Sequence, residues 1–149
     1  MGVKAFTERD ESYMNRKVLL GAIIGAFLAF MATKSTLSAG VLDSFTFHPL
    51  ILVVMAVVYI VFSLIDGRRN IILLEVSIAV VFLVIALIGL WVLPLAVGVG
   101  LIMHGLWDIV HHPKAVTTKV PGWYPPLCAV YDFLLAGVFF AYSSVIPPP

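Results

Sequence analysis

Residues 71–92 read IILLEVSIAVVFLVIALIGLWV, a run broken by one charge only, at Glu75. About 20 apolar residues rising about 1.5 Å each cross a hydrocarbon core of about 30 Å, so this stretch spans a bilayer as a helix. A strand of a membrane barrel would alternate polar and apolar residues, and this run does not. Inside lipid each backbone N–H and C=O must be satisfied within the protein, and a single span achieves that only as an α-helix. Working outward from it, four further runs qualify. The first starts at Val18, after Arg16 and Lys17, continues to about Thr33 and extends to Val41 where Lys34 snorkels; the others cover about 49–65, 94–110 and 125–146. The sequence therefore predicts an all-α integral membrane bundle of five transmembrane helices.

Composition gives the same answer. The chain has 149 residues, 62% hydrophobic and 11% charged, with a mean hydropathy of +1.10. Soluble domains carry about 25% charged residues, so too little polar surface is present here to dissolve a globule. The formal net charge of +1 lacks the basic excess that phosphate backbones demand, which excludes nucleic acid as a partner. Cys128 is the only cysteine, so neither an internal disulfide nor a paired-cysteine zinc site is available.

The boundaries have local causes. Asp66, Gly67, Arg68, Arg69 and Asn70 form a polar turn in which Asn70 is placed to cap the third helix. Trp91 suits the membrane interface, and Pro94 suits the first turn of the fourth helix, pairing it tightly with the third. The Pro121-Gly122-Trp123-Tyr124-Pro125-Pro126 stretch supplies a turn, two interfacial aromatics and a proline start for the fifth. Eight of the nine Lys and Arg residues fall on one side of these spans, and Lys34 alone falls on the other. The positive-inside rule then puts the N-terminus in the cytoplasm and the C-terminus outside. One domain results: a cytoplasmic arm (1–17), the five-helix unit (18–146) and a proline tail (147–149). The arm is not a signal peptide, because Glu8, Asp10 and Glu11 interrupt its basic region. Gly21-x3-Gly25-x3-Ala29 offers a flat face for close helix contact, either within the chain or between two copies.

The polar residues inside the spans share one layer. Glu75 lies about five residues, or about 7 Å, into the third helix from its cytoplasmic end. His104 and Asp108 occupy the cytoplasmic half of the fourth, with His111 and His112 at its mouth, and Cys128, Tyr131 and Asp132 open the fifth. At 100° per residue His104, Asp108 and His111 fall within about 60° of arc. An ionised carboxylate in hydrocarbon costs about 2.5–3.5 kcal/mol even on a lenient insertion scale, so Glu75, Asp108 and Asp132 should face the bundle interior. The functional expectation is a cytoplasmic-side pocket lined by Glu75, His104, Asp108, His111 and Asp132, with His112, Cys128 and Tyr131 as secondary candidates. Imidazole and carboxylate are ligands for zinc or non-haem iron, and such an ion would activate water or oxygen. The same groups could instead relay protons, bind a transported cation, or serve as interhelical glue. Cys128 reads as a small buried hydrophobe and His48 as an interfacial residue.

The segment His104-x3-Asp108-x2-His111-His112, followed by Trp123-Tyr124-Pro125-Pro126-x-Cys128-x2-Tyr131-Asp132, resembles a bacterial family of small multi-pass membrane proteins catalogued only as a domain of unknown function. The likeness covers mainly the last two spans, and it implies a multi-pass protein of the bacterial plasma membrane without assigning a reaction. With four histidines, the chain lacks the separated histidine boxes of membrane desaturases and hydroxylases. Three function classes follow: a membrane metal- or ligand-binding protein, a proton- or cation-coupled transporter, and an accessory subunit of a larger membrane complex. The bilayer is the expected partner in each, with self-association open.

Overall fold

The computed structural model of the chain describes residues 2–39, 41–111 and 115–145, with side chains from residue 15 onward except 36, 39–45, 112–114, 142 and 144–149. The candidate His112 and the proline tail lie outside the described residues. The described residues form five helices: α1 (Gly2–Ala39), α2 (Val41–Asp66), α3 (Arg69–Trp91), α4 (Leu95–His111) and α5 (Tyr124–Val145). No strand occurs among the described residues.

Four of the five are long and apolar enough to cross a membrane, through segments Asn15–Ser35, Thr46–Asp66, Arg69–Trp91 and Tyr124–Ala141. The fourth expected span is shorter, 17 residues, and reaches about 25 Å at about 1.5 Å per residue. Its faces are sorted the opposite way from those of a soluble helix. Val99, Ile102, Met103, Leu106, Ile109 and Val110 point outward, whereas His104, Asp108 and His111 are buried with Gly98 and Gly105. Apolar residues outside and polar residues inside are the arrangement that a lipid surround favours.

α1 lies along α5, α5 along α4, and α2 along α3, while α3 meets α4 and α2 touches both α1 and α4. The helices close a ring in the order α1, α5, α4, α3, α2. Although α3 and α4 are joined by a short turn, the main neighbour of α4 is α5 rather than α3. The two glycines of the small-residue face are consumed inside the chain. A Cβ on Gly21 would run into the carbonyl oxygen of Trp123, and one on Gly25 into that of Leu127. Lacking side chains there, α1 rests directly on the backbone that begins α5.

Several sequence expectations shift at the helix ends. α1 continues through the arm without a break at residue 17, since the arm contains no proline to stop it. α2 begins at Val41, so Pro49 lies inside the helix rather than at its start. A proline removes one N–H donor but leaves the φ it imposes compatible with a helix, and packing in a membrane helix tolerates the loss. α3 starts at Arg69 behind Arg68, with no side-chain cap, which places Asn70 inside the first turn. The turn is held from outside instead. Arg68 donates through Nε and Nη2 to Asp66 at 2.5 and 2.8 Å, and through Nη2 to the Thr117 carbonyl at 2.5 Å. The backbone N–H of Lys119 donates to the same Asp66 carboxylate at 3.0 Å. Hydrogen bonding to Asp66 raises the Arg68 pKa above its ordinary value. Asp66 therefore fastens the α2–α3 turn to the α4–α5 loop; it is buried, not solvated.

Candidate metal centre

Helix periodicity sets the site. His104 and Asp108 sit one turn apart on the inner face of α4, and Asp132 faces them from the third turn of α5. Gly105 lets the two helices approach at this level, because a Cβ there would stand 3.1 Å from the Phe133 ring and 3.3 Å from the Asp132 Cβ. All three polar side chains are fully buried, each at 0% exposure. His104 Nδ1 lies 2.8 Å from Asp132 Oδ2 and 3.2 Å from Asp108 Oδ2. Nδ1 carries at most one hydrogen, so it can serve only one of the two carboxylates fully. Tyr59, 2% exposed on α2, donates its hydroxyl to the other Asp108 oxygen, Oδ1, at 2.5 Å.

Among the described residues, three atoms of this trio find no hydrogen-bond partner although they are sealed from solvent: His104 Nε2, Asp108 Oδ2 and Asp132 Oδ1. Buried polar atoms are normally satisfied, so the cluster retains unused capacity to accept a proton or a cation. Charge counting agrees. With a neutral imidazole, two ionised carboxylates carry a charge of −2, and no Lys or Arg ion pair reaches them among the described residues. One divalent cation or two protons would neutralise them. One ligand atom from each of His104, Asp108 and Asp132 can be chosen so that all lie within 4.8 Å of one another. Metal bonds of about 2.1 Å put neighbouring ligands about 3.0 Å apart in an octahedron and about 3.4 Å apart in a tetrahedron. The separations of His104 Nδ1 from the two Oδ2 atoms, 2.8 and 3.2 Å, fall near those edges, the first being the hydrogen bond to Asp132 that an ion held by these three atoms would replace.

Glu75 and His111 form a second, separate pair. His111 Nε2 lies 2.9 Å from Glu75 Oε1, and its Nδ1 lies 2.9 Å from the Trp107 carbonyl, to which it must donate. Thr118 donates to Glu75 Oε1 at 2.5 Å, and Trp107 Nε1 donates to Oε2 at 3.3 Å. The Glu75 carboxylate thus has a donor on each oxygen, Thr118 on Oε1 and Trp107 on Oε2, whereas each carboxylate of the trio has one oxygen without a donor. The Tyr59 ring joins the two groups, its centroid 4.6 Å from the His111 ring and 5.8 Å from the His104 ring. Tyr59, Glu75, Phe82, His104 and Trp107 also border one gap too narrow for water.

A cavity of about 540 Å³ opens on the far side of His111, bordered by Phe62, Ile65, His111, Thr118, Lys119 and Pro125 among others. The expected open pocket is therefore two things: a sealed polar layer and a cavity beside it, separated by His111 and Thr118. Of the secondary candidates, Cys128 and Tyr131 border an apolar groove of about 240 Å³ with Leu28, Ile51, Val54 and Met55, and neither joins the ligand trio. His48 is buried at 1% exposure against the Phe139 ring, 5.5 Å away, rather than interfacial. The start of α2 at Val41 carries it into the bundle.

Sequence reasoning missed Tyr59, Trp107 and Thr118. Tyr59 left a faint signal as a hydroxyl within a run of apolar residues; Thr118 left none, because only the Asp66–Arg68 fastening brings its loop against α3. No family model, curated protein or solved structure matches the chain.

Proposed function

We propose that the protein is a multi-pass membrane protein that binds one divalent transition-metal ion, zinc or iron, on His104, Asp108 and Asp132. The observation that carries this reading is the convergence of two carboxylates and an imidazole in a sealed layer where three polar atoms lack partners. Leaving a charge of −2 in a low-dielectric core costs several kcal/mol, and a divalent ion cancels it. The mixed nitrogen and oxygen donor set suits zinc and iron better than calcium or magnesium, which favour oxygen alone.

Each residue has a definable part. His104 offers a nitrogen from α4, Asp108 and Asp132 offer oxygens from α4 and α5, and Tyr59 holds Asp108 in place through its far oxygen. When bound, the ion would supply a Lewis acid able to polarise water or another ligand. Loop cations and the family resemblance support the bacterial plasma membrane as the location, with the N-terminus cytoplasmic and the polar layer nearer the inner face. Lipid then covers the outward apolar residues.

Metal analysis of detergent-purified protein tests the reading. Wild type should carry about one equivalent of metal after mild chelation and reloading with zinc or ferrous iron. His104→Ala and Asp108→Asn should carry none while remaining monodisperse. Equal, negligible metal in all three would overturn the proposal and leave protons as the neutralising charge.

A further inference from the structure

A site whose ligands are all fully buried needs a way in for its ion. The apolar groove beside Cys128 is a poor one, since its wall offers a partly dehydrated cation no charged group, and no polar side chains beyond Cys128 and Tyr131. The 540 Å³ cavity differs. His111 and Thr118 form part of its wall, and both bond Oε1 of the same carboxylate, Glu75. On its other side Glu75 borders the narrow gap that His104 also borders. Nitrogen and oxygen ligands therefore lead from the cavity to Glu75, and only a narrow gap, walled also by Tyr59, Phe82 and Ala79, separates Glu75 from His104; the side chains around it must part for an ion to cross.

We infer that Glu75, His111 and Thr118 form a door for a divalent cation, through which the ion passes between the cavity and the His104–Asp108–Asp132 site. This rests on the metal-binding reading above. As the ion arrives, Glu75 exchanges its bonds to His111 and Thr118 for a transient contact with the cation. It then hands the cation to the trio and recovers those bonds. Glu75 lends charge to the passage and takes no part in the resting site, so it governs rates and not affinity. Thr118 is the latch, because its hydroxyl holds the Glu75 oxygen that must swing free.

Stopped-flow mixing with Co²⁺, followed by its visible absorption and paired with release into a chelator, measures both rates. Glu75→Gln removes the charge; it should slow association and release together by about tenfold or more while Kd stays within about threefold. Thr118→Val removes the latch and should accelerate both at unchanged Kd. Unaltered rates in the two variants would overturn the door, as would a Kd for Glu75→Gln weakened in step with its release rate, since Glu75 would then be a ligand of the resting site. If Glu75→Gln fails to fold, Thr118→Val decides alone, and unaltered rates in it refute the inference. Absence of Co²⁺ binding by the wild type would overturn the metal site itself and the door with it.

Discussion

The Tyr59 hydroxyl reaches Asp108 from a different helix and takes one carboxylate oxygen at 2.5 Å, which leaves the other, Oδ2, turned toward His104 without a hydrogen bond. A partner that occupies one oxygen and frees the second is how an outer residue orients a metal ligand, and loss of such partners costs about 10–100-fold in metal affinity. Tyr59→Phe keeps the ring against His104 and His111 and removes only this bond. It should weaken Zn²⁺ binding by that range, read by competition with a chelating dye, while the protein stays folded.

Asp132→Asn should separate stability from binding. Removing one of two buried negative charges relieves repulsion in the ion-free protein, so its Tm should rise by about 2–4 °C, equivalent to about 1 kcal/mol in a chain of this size. Metal content should fall to background in the same sample. A lowered Tm in ion-free Asp132→Asn would show that the two carboxylates do not repel each other.

Gly25→Val places side-chain atoms where the Leu127 carbonyl oxygen already lies, whereas a Cβ at Gly122 meets nothing within 4 Å. Overpacking at a backbone contact costs about 1–3 kcal/mol. Thermal melts in detergent should show a clear loss for Gly25→Val and little change for Gly122→Ala.

Orientation is checked by labelling. Cys128 is buried, so a single introduced cysteine reports its own position. In intact cells, Lys34→Cys should react with an impermeant maleimide, and Lys119→Cys should react only after the membrane is opened. The reverse pattern would invert the positive-inside assignment.

How far the sequence could be read depended on whether the relevant geometry was local. His104 and Asp108 share a face because an α-helix repeats every 3.6 residues, and the cost of placing charge in lipid turns that face inward; both facts are visible in the sequence. The same spacing grouped His111 with them. The fold splits that stripe instead, because α3 brings Glu75 to His111 while α5 brings Asp132 to His104. Which neighbour stands opposite each turn is a tertiary fact that periodicity does not contain. Pro49 misled for another reason: proline fits both a helix start and the interior of a membrane helix, and His48 moved from interface to core with that choice.

Among the described residues the long N-terminal helix adds no side chain to the His104–Asp108–Asp132 cluster, yet Gly21 and Gly25 seat it on the backbone of Trp123 and Leu127, just ahead of the turn of α5 that carries Asp132. α1 is in effect a splint: it steadies the rod on which a distant carboxylate is mounted. Damage along its small-residue edge should therefore register as a misplaced aspartate some way off, in a part of the molecule the altered residue never touches.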